Sequence, residues 1–75
     1  RRRLTVELDD RLGRVRKALA RVEGKSLSAE LIALANNARS FLQQAEQARA
    51  QDLVTAVNLA KRADLFAADL VSLLP

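Results

Sequence analysis

Nine Asp and Glu side chains, with no His and no Cys beside them, set the chemistry open to this 75-residue chain. Absence of His removes the commonest general base and the commonest zinc ligand. Absence of Cys removes thiolate ligands and disulfides. The acids themselves are poorly placed for joint work. Asp9 and Asp10 are adjacent, and a helix points them in different directions. Glu7 and Asp10 share a face and could hold a cation loosely, although an acidic first turn favourable to the helix dipole is the plainer reading. Asp64 and Asp69 stand five apart and do not converge. No Gly-rich phosphate loop, nucleophile motif or metal-ligand spacing occurs. We therefore expect no enzyme activity, and no catalytic, cofactor or metal site.

The cations are more informative. Residues 1–25 hold nine Lys and Arg against four acids, whereas the remainder holds four against five. The overall charge of +4 is thus concentrated at one end. On a helix, Arg11, Arg14, Arg21 and Lys25 line up with Ala18 between them. Such a stripe can track phosphates without reading sequence. No aromatic accompanies it for base stacking, and no helix-turn-helix signature precedes it. A solvated helix face has the same composition and is the simpler account. An anionic membrane surface is a third, weaker partner for an Arg-flanked amphipathic helix.

The elements that would carry these residues are helical. Apolar residues make up 49% of the chain and are mostly Ala and Leu, leaders of the helix-propensity scale. Two Gly and one Pro interrupt it. The length allows one small domain. We expect a basic tail over 1–4 and a single all-α domain over 5–75, with helices at about 5–23, 28–49 and 52–74. In the first, Leu8, Leu12, Val15, Leu19 and Val22 follow the 4-3-4-3 seam of a coiled coil, which Leu4 could extend. Gly24 stands where a left-handed cap would end that helix. Ser28 can cap the second helix, with Glu30 near its dipole and Leu27 and Ile32 placed as a staple. Its stripe runs through Leu31, Leu34, Ala35, Ala38, Phe41, Leu42, Ala45 and Ala48.

The junction at 49–52 lacks Gly and Pro, so one long helix from 29 to 73 is conceivable. Asp52 is a good N-cap, however, and a tight turn giving an antiparallel hairpin is the expected solution. The segment after it is apolar on more than one face. Leu53, Ala56, Val57, Ala60, Ala63, Ala67, Leu70 and Leu74 form one stripe, and Leu59, Phe66 and Leu73 a second at seven-residue steps. Thr55, Asn58, Arg62, Asp69 and Ser72 are expected to face water. A helix with two apolar stripes and many small side chains needs close neighbours on two sides. They are the first helix or a second chain.

The run Asp52-Leu53-Val54-Thr55-Ala56-Val57-Asn58-Leu59-Ala60-Lys61-Arg62-Ala63 resembles the second helix of a tetratricopeptide-like hairpin, where an Asp opens the helix and small Ala residues recur at sevens, as Ala56 and Ala63 do. It is also similar to helical hairpins of small bacterial periplasmic lipoproteins. The likeness spans about residues 38–74. Gln51 replaces the Gly expected before the Asp, and no second repeat follows. The resemblance implies a protein-binding helical hairpin and, on the second comparison, the bacterial periplasm or envelope; the cytoplasm is the other location considered. The lack of any Met, even at position 1, fits a piece of a longer product.

These features together predict a non-enzymatic, self-associating interaction or scaffolding module with a heptad-bearing helix and a helical hairpin, coiled-coil-like or bundled into an oligomer. Its expected partner is protein, either a second copy or a subunit of a parent complex. The interaction seam is Leu8, Leu12, Val15, Leu19, Val22, Leu59, Phe66 and Leu73. The alternative is polyanion binding through Arg11, Arg14, Arg21 and Lys25.

Overall fold

Three local signals punctuate the chain, and each works through hydrogen bonds to nearby backbone groups. At Gly24 the backbone turns left-handed with φ at +74°, while Lys25 N–H donates to the Val22 carbonyl at 3.1 Å. The Ser28 hydroxyl accepts from Leu31 N–H at 3.3 Å, satisfying a first-turn donor that the helix cannot. Asp52 accepts from Val54 N–H at 3.0 Å and from Thr55 N–H at 3.3 Å. Residues 49–51 form the expected tight turn. A computed structural model, describing residues 2–75, shows three helices separated by these signals: α1 (Arg2–Val22), α2 (Ala29–Ala48) and α3 (Leu53–Ser72). No strand occurs among the described residues.

Helix α1 starts three residues earlier than expected. Arg2, Arg3 and Leu4 are helical rather than tail, because nothing between Arg2 and Thr5 breaks a helix and Leu4 packs against the core. Arg1, the remaining residue of the expected tail, lies outside the described residues. The earlier start also removes acids from the first turn, so the dipole reading of Glu7 and Asp10 does not hold.

The helices form a three-helix bundle with principal extents of 39 × 17 × 16 Å. Helix α3 packs against both others, whereas α1 and α2 touch each other least. Arg49 of the α2–α3 turn pairs with Asp9, and Glu46 pairs with Arg16, so α1 and α2 run antiparallel. Asp64 pairs with Arg11 and Arg14, and Val22 clusters with Leu70, so α1 and α3 run parallel.

The apolar pattern explains this arrangement. The stripe Ala56, Ala60, Ala63, Ala67 and Leu70 of α3 is wholly buried. Against it lie Leu8, Leu12 and Val15 of α1 and Ala38, Leu42 and Ala45 of α2. Small side chains on α3 let both neighbours approach closely, while the bulk comes from Leu on the facing helices. A second, smaller cluster of Val22, Ala35 and Leu70 closes the end near the α1–α2 loop, with Leu19, Leu27, Leu31, Leu34 and Leu74 around it. Fully burying each large side chain contributes about 1.5–3 kcal/mol.

Candidate interaction surface

The expected seam of α1 is inside the molecule. Leu8, Leu12 and Val15 have no exposed surface and Val22 almost none. Leu19 is half-buried and packs against both clusters, and its place in the buried row is taken by Ala18, 5% exposed. Ala18 stands in the sequence among the cations of the basic stripe, yet it is core. The face turns this way because α1 must meet α3 and α2 at once. The second stripe of α3 is also used internally. Leu59 and Phe66 pack against the core, and the Phe66 ring stacks on Phe41 of α2 with centroids 5.7 Å apart and planes within 10°. Arg62 lies over the same Phe41 ring at 5.8 Å. Leu73, at the α3 C-cap, is half exposed. Thr55, Asn58, Arg62, Asp69 and Ser72 all face solvent, as their spacing predicts.

The basic stripe divides in two. Arg11 Nη1 and Arg14 Nη2 both donate to Asp64 Oδ2, each at 3.0 Å, and Arg11 Nε also reaches Glu7 at 3.0 Å. Asp64 is only 18% exposed at its side chain and clamps α1 to α3. Its hydrogen bond, and secondarily its charge, raise the Arg14 pKa above the ordinary arginine value. Sequence reasoning missed this clamp. The available signal was that Asp64 flanks the Ala60, Ala63 and Ala67 stripe, where an acid must find a partner at the rim. Further along, Arg21 and Lys25 are exposed and, with Lys17, make no ion pair among the described residues.

Between α1 and α3, on the side away from α2, runs an open groove of about 430 Å³. Its apolar lining is Ala18, Ala67, Ala68 and Val71, and its α1 rim is Arg14, Lys17 and Arg21. No family model, curated protein or solved structure matches this chain. A larger open region, about 650 Å³, is bordered by α1 side chains alone, including Arg2, Arg3, Val6 and Asp10, and has no opposing wall. Among the described residues, no three His, Cys, Asp or Glu side chains form a group able to hold a metal. None of the described helices is long and apolar enough to cross a membrane.

Proposed function

We propose that this chain is a non-enzymatic protein-interaction module whose docking face is the groove between α1 and α3. One observation carries the reading. Two helices lie side by side with a valley on each flank; α2 fills one, and the other stays open over Ala68 and Val71. Small lining residues allow another helix to come within ordinary packing distance, about 8–10 Å between axes. The α1 seam is interior, so a second copy could meet Leu8, Leu12 and Val15 only in an opened chain. The polyanion alternative keeps Arg21 and Lys25, while Arg11 is held by both Glu7 and Asp64 and Arg14 bonds Asp64 with its side chain still 57% exposed.

The reading is tested by titrating the isotope-labelled chain with a neutral amphipathic helical peptide and following backbone amide shifts. Shifts confined to residues around Ala18, Ala68 and Val71 are expected. They should vanish in Ala68→Trp, which fills the valley from an exposed position and leaves the thermal midpoint unchanged. Shifts scattered over all faces, or none at millimolar peptide, would sink the proposal.

A further inference from the structure

Resting on that reading, we infer that the occupant of the α1–α3 groove is an acidic amphipathic helix of a partner protein, completing a four-helix bundle. The groove has an apolar lining and one charged wall. Lys17 and Arg21 stand on that wall one helical turn apart, both exposed and neither engaged in an ion pair among the described residues. Arg14 continues the row, its side chain 57% exposed beyond its bond to Asp64. The three cations sit at steps of three and four, which makes a straight rim of about two turns, roughly 10 Å. Against them the lining offers a single carboxylate, Asp64, already shared between two guanidinium groups. The local balance is positive, so a ligand lying along the rim gains by carrying acids on that edge.

Geometry separates this occupant from other anions. A phosphate backbone laid in the valley would press charged oxygens on Ala67, Ala68 and Val71, where burial costs them hydration without supplying a donor. A lipid surface needs apolar side chains that protrude, whereas the apolar residues here form a recess. A helix with Leu or Ala toward the recess and Glu along one flank meets both demands at once. It presents the i, i+3, i+4 pattern that valleys between helices accept.

The test compares three synthetic peptides of about 15 residues, long enough for four helical turns, sharing one apolar stripe and differing in flanks of Glu, Gln or Lys. Fluorescence anisotropy should rank Glu above Gln above Lys, with the Glu and Lys forms separated by on the order of tenfold, since two or three rim pairs each contribute modestly. Added salt should narrow the gap. In the double variant Lys17→Glu with Arg21→Glu the order should invert, an outcome that unfolding cannot imitate. Equal binding of all three peptides overturns the charge assignment but leaves the groove as a docking face. Failure of all three to move the groove amides removes the docking face as well. A short DNA duplex, or vesicles containing phosphatidylserine, displacing the Glu peptide with higher affinity would assign the rim to phosphates and overturn the partner class.

Discussion

At the scale of single residues, the two glycines do opposite things. Gly24 holds a φ of +74°, where an L side chain costs about 1–2 kcal/mol. Gly13 sits inside α1 with open space where a Cβ would go. Gly24→Ala should therefore destabilise by about 1–2 kcal/mol, while Gly13→Ala should stabilise by up to about 1 kcal/mol. Urea unfolding of the two variants measures both; the same sign for each would contradict the backbone assignment. Such differences are visible because a chain this size has a total stability of roughly 4–11 kcal/mol.

At the scale of elements, α3 depends on its first turn. Asp52 caps it, and the carboxylate is held below its ordinary pKa, first by the Thr55 hydroxyl at 2.9 Å and then by the Thr55 amide. A lowered folded-state pKa means that the ionised cap stabilises fully above the unfolded value. That contribution fades as pH falls through the lowered one. Asp52→Ala should thus lower the thermal midpoint by a few degrees at neutral pH, and the gap to wild type should narrow below about pH 4. Circular dichroism melts across that range decide it. A gap that stays constant would show that the cap works without its charge.

At the scale of the whole molecule, the three helices stand or fall together. Most helical stability in proteins comes from packing of an apolar face rather than from propensity, so each helix persists by packing on the others. Leu12 is fully buried at the α1–α3 contact, and Leu12→Asp places a carboxylate there with no partner. Loss of helical signal is expected, with a sedimenting species that is expanded rather than a folded half of an assembly. Leu65, 68% exposed on the outside of α3, should accept Asp with the fold intact. A well-folded Leu12→Asp chain of unchanged helicity would mean that the seam is not interior.

Much of this architecture follows from local chemistry that one strand of text carries. The breaks at Gly24, Ser28 and Asp52 depend on residues within a few positions of each turn, and the all-α class follows from propensity and spacing. Spacing also shows that α3 needs two neighbours, since Ala56 to Leu70 and Leu59 with Phe66 cannot both face one helix. What lies across the fold is a different matter. That α1 and not another chain covers α3, that Ala18 is core, and that Asp64 ties up Arg11 and Arg14 all depend on contacts between residues some fifty positions apart. Helical periodicity ranks positions around one axis but does not say how that axis is rotated against its neighbours. The rotation is settled by simultaneous packing of three helices, and the open valley beside Lys17 and Arg21 is what remains once α2 has taken the other side.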